Sequence, residues 1–273
     1  MEQTERFAFG ENWQRFSELI DTDHIEEAKA SLQRFFGATG LEGVRFLDIG
    51  CGSGLFSLAA LELGAADVLA VDLDPNSVAT ARNVLTRFAA GRSWQCRQAD
   101  VFSMSADAYG QFDVVYSWGV LHHTGDMYRA IEHALELVRP GGRALLAFYG
   151  RTPFCGFWQW EKRCYVRYAP WFPVLARWTY MPLVLLRYLL AGKNPVRVVR
   201  EYRSLRGMDW SHDVDDWLGG YPYESITPED AIAFVEAHGF RCERSSTEKR
   251  IGVFGSGCDE YLFSRDSSCD RTG

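Results

Sequence analysis

The chain has 273 residues, 47% of them hydrophobic and 24% charged, with a formal net charge of -7. These figures fit a globular chain with one large domain or a domain carrying an insertion, and they exclude collagen-like, disordered and small disulfide-scaffold architectures. The charge is uneven: residues 151–207 hold eleven Lys and Arg against Glu161 and Glu201, a +9 segment inside a remainder of -16, and they are rich in aromatics such as Trp158, Trp160, Trp171 and Trp178.

Seven cysteines without a C-x-x-C pair or a Cys/His cluster at zinc spacing predict reduced thiols, no bound metal and a cytoplasmic setting. The opening MEQTERFAFGENW lacks the basic-then-apolar order of a signal peptide. The most apolar window, residues 171–190, is broken by Pro173, Arg177, Pro182 and Arg187, so it does not read as a membrane span. Peripheral contact in the plane of a membrane stays open.

In chain order, Trp13, Phe16, Leu19 and Ile20, then Leu32, Phe35 and Phe36, fall at helical spacings and predict helices over residues 11–37. From residue 44 the period changes. Residues 44–49 read as a strand ending in a glycine-rich turn, 55–63 as a helix, 67–72 as a second strand, 75–88 as a helix and 93–98 as a third strand. Strands over 112–117 and 143–149 flank a helix from about 126 to 138, stopped by Pro140-Gly141-Gly142. Alternation of this kind predicts an α/β fold with a mostly parallel sheet and helices on both faces. The rhythm breaks at Gly150. Residues 151–220 read as a helical insertion, after which a helix over 228–238 and strands over 240–247 and 258–264 complete the sheet. The expected division is therefore an N-terminal helical cap (1–43), a core (44–150), the insertion (151–220), the rest of the core (221–265) and a flexible tail (266–273).

The sharpest local signal is Asp48-Ile49-Gly50-Cys51-Gly52-Ser53-Gly54. Closely spaced glycines between a strand and a helix let a ligand approach the backbone at the carboxyl edge of a parallel sheet. The dinucleotide fingerprint G-x-G-x-x-G is not met, since residues 55 and 57 are Leu and Ser, and no P-loop lysine motif is present. Asp48 beside the turn favours a cationic ligand over a pyrophosphate.

These features resemble the class I S-adenosylmethionine-dependent methyltransferases, whose first motif is an acidic residue followed by G-x-G-x-G. The resemblance covers residues 44–149 well and the last strands loosely. It implies a Rossmann-like seven-stranded sheet, and S-adenosylmethionine as methyl donor with S-adenosylhomocysteine as product. Gly50, Cys51, Gly52 and Gly54 are then expected around the methionine portion, with Asp48 near its amino group. Asp72, followed by Leu73, matches the family's ribose-binding acid, for which a carboxylate suits because it accepts two hydrogen bonds at once. Asp74 reads instead as a helix cap beside Pro75. Asp100 and Val101 match the adenine-contacting position, although an isolated loop Asp also suits a cap. The stretch from Asp113 to His123, containing Ser117 and Trp118, matches the fourth motif, and Arg139-Pro140-Gly141-Gly142 the turn before strand five.

Methyl transfer needs aligned reactants and, for a hydroxyl acceptor, a base. His122, just past strand four, is the expected base, with packing or capping as the competing reading of both His122 and His123. Asp-Pro-Pro-aromatic and related signatures of DNA amino-methyltransferases are missing at this strand end, so a DNA acceptor is not expected. Asp209 and His212, in an aromatic-rich stretch at 206–224 that resembles a segment of a bacterial branch of the family, are candidate acceptor ligands or an alternative base. Trp13, Phe16, Trp118, His123 and Trp210 are expected to contact the substrate, under a lid formed by the insertion. The expected acceptor is a small molecule methylated at a hydroxyl oxygen, anionic or attached to a lipid or carrier. N- or C-methylation, and a non-catalytic module that binds S-adenosylmethionine and presents the basic insertion to a partner, remain the alternatives.

Overall fold

The computed structural model describes Trp13, Ser17, residues 20–206 and residues 210–267. Seven strands, β1 (Arg45–Ile49), β2 (Asp67–Asp72), β3 (Trp94–Gln98), β4 (Phe112–Trp118), β5 (Val138–Tyr149), β6 (Phe240–Ser246) and β7 (Cys258–Arg265), form one sheet in the order β3-β2-β1-β4-β5-β7-β6. The pairings from β3 to β5 are parallel, and β7 runs antiparallel to both of its neighbours. Strand order reverses between β1 and β4, and in open α/β sheets such a switch point opens a crevice at the carboxyl ends of the strands.

Alternating side chains send the central strands into two cores. Phe46, Val68, Ala70 and Val114 pack with α1 (Thr22–Phe36), α2 (Leu55–Glu62) and α3 (Pro75–Phe88) on one face. Leu47, Leu69, Val71 and Val115 pack on the other with α5 (Met127–Glu136) and α10 (Pro228–Glu236). A single-turn helix, α4 (Ala106–Tyr109), precedes β4. Side-chain caps hold these elements: Asp74, read as a cap from the sequence, accepts from the Asn76 N–H at 2.8 Å with Pro75 in the first turn of α3, and Thr227 accepts from the Asp230 N–H at the start of α10.

One boundary differs from expectation. β5 begins at Val138 rather than Arg143, because the pairing with β4 jumps from Phe112–Val138 to Val114–Arg143 and carries Pro140-Gly141-Gly142 as an irregularity within the strand. Of the helices expected over 11–37, α1 lies wholly within the described residues.

The insertion consists of α6 (Cys155–Arg167), α7 (Trp171–Leu190), α8 (Pro195–Arg206) and α9 (Trp210–Gly219), which share a third core around Trp158, Tyr165, Val184, Trp210 and Leu218. Asp215 of α9 ties the group together, accepting from Arg177 at 2.6 Å and from the Tyr165 hydroxyl at 3.2 Å. The insertion is fastened to the sheet through a loop before β7: the Trp158 indole N–H donates to Gly252 O at 2.6 Å and the Tyr180 hydroxyl to Phe254 O at 2.9 Å. No helix among the described residues is long and apolar enough to cross a membrane.

Candidate functional site

Each glycine of the first turn has a left-handed backbone, with φ of 77° at Gly50, 52° at Gly52 and 78° at Gly54. Each also permits a close approach that a Cβ would block. At Gly50 it would lie 2.3 Å from Val120 Cγ2, at Gly52 2.8 Å from the Trp13 indole, and at Gly54 2.9 Å from Ala81 Cα. Gly50, Cys51 and Gly52 line a cavity at the switch point. Gly54 is not among the lining residues; its backbone lets α2 pack closely on α3 at Ala81.

The carboxylates read from the sequence gather around this turn. Asp48, 2% exposed, accepts from the Ser57 hydroxyl at 2.6 Å. Burial pushes its carboxyl up to about 7, partly offset by Ser57 and reinforced by the nearby Asp72 charge. Asp72, at the end of β2, accepts from the Gly52 N–H at 3.0 Å through one oxygen and from the Asp74 N–H at 2.9 Å through the other. Burial raises its carboxyl as well, while those backbone donors pull it back. Asp100 does what an isolated loop Asp commonly does, accepting from the Phe102 N–H at 3.1 Å, and it also lines the cavity with Val101 and Leu73. The two readings of Asp100 are therefore compatible.

The fourth motif divides its residues between cavity and core. Along β4 the pleat turns Tyr116 and Trp118 to the cavity and Ser117 away, where its hydroxyl donates to Ile49 O at 3.0 Å; Ser117 is fully buried and does not line the site. The Trp118 indole N–H donates to Glu260 at 2.9 Å. The histidines lie in a 3-10 turn, Leu121–His123. His123 lines the cavity, whereas His122, the base expected from sequence, is fully buried and does not. Its ring lies 3.9 Å from that of Tyr149, its Nδ1 accepts from the Tyr149 N–H at 3.3 Å, and its Nε2 is buried without a partner. Burial, then the neighbouring His123 and Lys162, hold His122 well below the usual imidazole range.

His123 donates from Nδ1 to Pro222 O at 2.6 Å. Burial brings it down to about 4 against the upward pull of that carbonyl, and the Lys162 charge lowers it further. The Lys162 amino group is fully buried without a hydrogen-bond partner, 3.9 Å from the centroid of the Trp217 ring and 5.5 Å from that of Tyr223. Burial lowers its own pKa and raises that of the adjacent buried Glu161.

The cavity occupies about 1590 Å³. Sites for a single ligand usually span roughly 300–1,000 Å³. Beyond the turn and its carboxylates, its walls come from Tyr149 and from Tyr180, Val184, Arg187, Tyr188, Tyr202, Trp210 and Trp217 of the insertion. Trp13 and Trp210 line it, while Phe16 and Asp209, and the side chain of His212, lie outside the described residues. Sequence reasoning missed the 248–257 loop, whose Arg250, Gly252, Phe254 and Gly257 also line the cavity. Its glycine density was the available signal: Gly252 and Gly257 are left-handed, and a Cβ on either would meet Thr152 or Arg250.

Residues 47–146 match the family model described as a methyltransferase domain. Ubiquinone biosynthesis O-methyltransferase of Xanthomonas euvesicatoria is 38% identical over 113 residues, 41% of this chain and 46% of that protein. The enzyme of the same name from Pseudomonas aeruginosa is 37% identical over 114 residues, 42% of this chain and 48% of that protein. The chain thus spans about half the length of the curated relatives it matches. Among solved structures, magnesium protoporphyrin IX methyltransferase from Synechocystis PCC 6803 with bound SAH shares the fold at a TM-score of 0.56 and 16% identity, covering 94% of both chains. An S-adenosylmethionine-dependent methyltransferase from Mesorhizobium loti shares it at 0.50 and 18%, covering 86% of this chain and 96% of the other.

Proposed function

We propose that residues 47–146, which match the methyltransferase-domain model, bind S-adenosylmethionine as in the class I methyltransferases, and that the chain methylates a hydroxyl oxygen on an aromatic small molecule held under the insertion. The observation that carries this reading is one cavity of about 1590 Å³, large enough for two ligands, that joins the glycine turn and its carboxylates to an aromatic wall containing His123.

The residues present fit S-adenosylmethionine. Gly50 and Gly52 line the cavity beside Asp48, and the buried Asp48 carboxyl, pushed up to about 7, gains from a cation nearby. Bound there, S-adenosylmethionine supplies an electrophilic methyl group on a positively charged sulfonium. Asp72 would hold the ribose hydroxyls, since each of its oxygens retains a second lone pair beyond its backbone bond. Val101 and Leu73 offer apolar surface to the adenine, and Asp100 an acceptor for its amino group.

On the acceptor side, donation from His123 Nδ1 to Pro222 O orients the imidazole at the cavity wall. His123 is neutral at pH 7 and able to take the acceptor's proton. Such a weakly basic imidazole suits a phenolic hydroxyl better than an aliphatic one, and negative charge developing on the acceptor oxygen strengthens the base as transfer proceeds. Tyr149, Trp210 and Trp217 present ring surface to a flat acceptor, and Arg187 offers an anionic substituent a counter-charge. The O-methyltransferase names of the 37–38% identical relatives support oxygen over nitrogen or carbon.

The test is methyl transfer from radiolabelled S-adenosylmethionine to catechols bearing carboxylate or alkyl substituents. Labelled O-methyl product is expected, with His123→Gln lowering kcat by about 10²–10⁴ and leaving S-adenosylhomocysteine affinity unchanged. Transfer only to nitrogen or carbon acceptors would contradict the acceptor class. Wild-type turnover in His123→Gln would remove the base.

A further inference from the structure

The helix α7 has two apolar faces with different surroundings. Tyr180, Val184, Arg187 and Tyr188, spaced at i, i+4, i+7 and i+8, line the cavity. On the opposite side Val174, Trp178, Leu186 and Leu189 are exposed, Trp178 by 76%. Surface apolar residues scattered singly carry no message, but these are contiguous with an aromatic band from α6. Phe157 meets Trp160 at 6.0 Å between ring centroids, Trp160 meets Phe172 at 6.3 Å, Phe172 meets Trp171 at 5.7 Å and Trp171 meets Tyr168 at 5.9 Å. Apart from Phe172, all of these rings are exposed.

The exposed charged side chains described beside this surface are basic. Arg163 and Arg167 are exposed one and two turns beyond Trp160 on the same face of α6, and Lys193, Arg197 and Arg200 are exposed beyond the other end of α7. The sole acidic residue between 151 and 200 is Glu161, which is buried.

We propose that the outer face of α6 and α7 docks on an anionic lipid bilayer, lying in the plane of the headgroups with its tryptophans and leucines inserted. Tryptophan and tyrosine rings suit the interface between headgroups and acyl chains, and arginine and lysine at the margins meet anionic headgroups. Charge complementarity selects this occupant over a second copy of the chain: a symmetric dimer through this face would set Arg163 and Arg167 of one copy against the same basic face of the other. No helix among the described residues spans a bilayer, so the contact is peripheral. Because α7 turns its other face to the cavity, a docked molecule would hold its acceptor wall one helix diameter from the membrane, where a lipophilic acceptor resides. The docking itself does not depend on the methyl acceptor.

Flotation of the full chain with vesicles tests it. With phosphatidylglycerol and phosphatidylcholine in equal parts, the chain should float with the vesicles, at least tenfold more strongly than with phosphatidylcholine alone. The double variants Trp178→Glu/Leu186→Glu and Arg163→Glu/Arg167→Glu should each weaken binding by tenfold or more while retaining wild-type affinity for S-adenosylhomocysteine, which reports an intact core. Failure of the wild-type chain to bind anionic vesicles at low salt, or undiminished binding by both variants, would overturn the proposal. So would sedimentation showing a dimer that Trp178→Glu/Leu186→Glu dissolves, since a second copy would then own the face.

Discussion

A 3-10 turn advances about 120° per residue, so adjacent side chains in Leu121–His123 cannot share a direction. The turn sends His123 to the cavity and buries His122 against Tyr149, a choice that two consecutive histidines in a sequence do not reveal. The buried environment that keeps His123 neutral has a thermodynamic signature. In the unfolded chain a histidine takes up its proton near pH 6.5, while folded His123 does so only near 4. Its contribution to stability is therefore fully present above 6.5 and lost as the pH falls from 6.5 towards 4. His123→Gln carries no such proton. The stability difference between wild type and His123→Gln, measured by urea unfolding, should shift by about 2 kcal/mol against the wild type between pH 7 and pH 5. A difference independent of pH would mean that His123 titrates normally.

At the scale of elements, the glycine turn was legible because its requirements are local. The acid at a strand end, the glycine spacing and the following helix all fall within residues 48–55. Gly54 shows what spacing alone does not separate: the third glycine serves the contact of α2 with α3. Gly54→Ala combines a left-handed alanine with a clash against Ala81 Cα and should cost about 2–4 kcal/mol, lowering Tm by roughly 10 °C. Gly91→Ala is the control, since Gly91 is also left-handed with φ 79° but nothing lies within 4 Å of its would-be Cβ; it should cost about 1–2 kcal/mol. Equal losses in the two variants, read by thermal melting, would remove the packing role. β5 was harder to read because Pro140-Gly141-Gly142 signals a stop, yet the strand resumes its pairing with β4 beyond it in a shifted register.

Across the whole molecule, the uneven charge of the sequence corresponds to a division of labour. The acidic core places Asp48, Asp72 and Asp100 at one wall of the cavity, and the basic insertion supplies most of the opposite wall. The first wall could be read from the chain because each residue sits at a strand end or in the turn after it. The second could not: Tyr149, Arg187, Trp217 and Phe254 come from β5, α7, α9 and a loop before β7, and only tertiary packing brings them together. Apolar spacing in α7 announces a buried face but does not tell which of its two apolar faces meets the cavity. Both halves of the site depend on one premise, occupation of the first wall by S-adenosylmethionine through Asp72. Titration calorimetry with S-adenosylhomocysteine tests it most directly. One site per chain is expected, with at least a tenfold loss of affinity in Asp72→Ala and the circular dichroism spectrum preserved; no binding by the wild-type chain, or undiminished binding by Asp72→Ala, would contradict that premise.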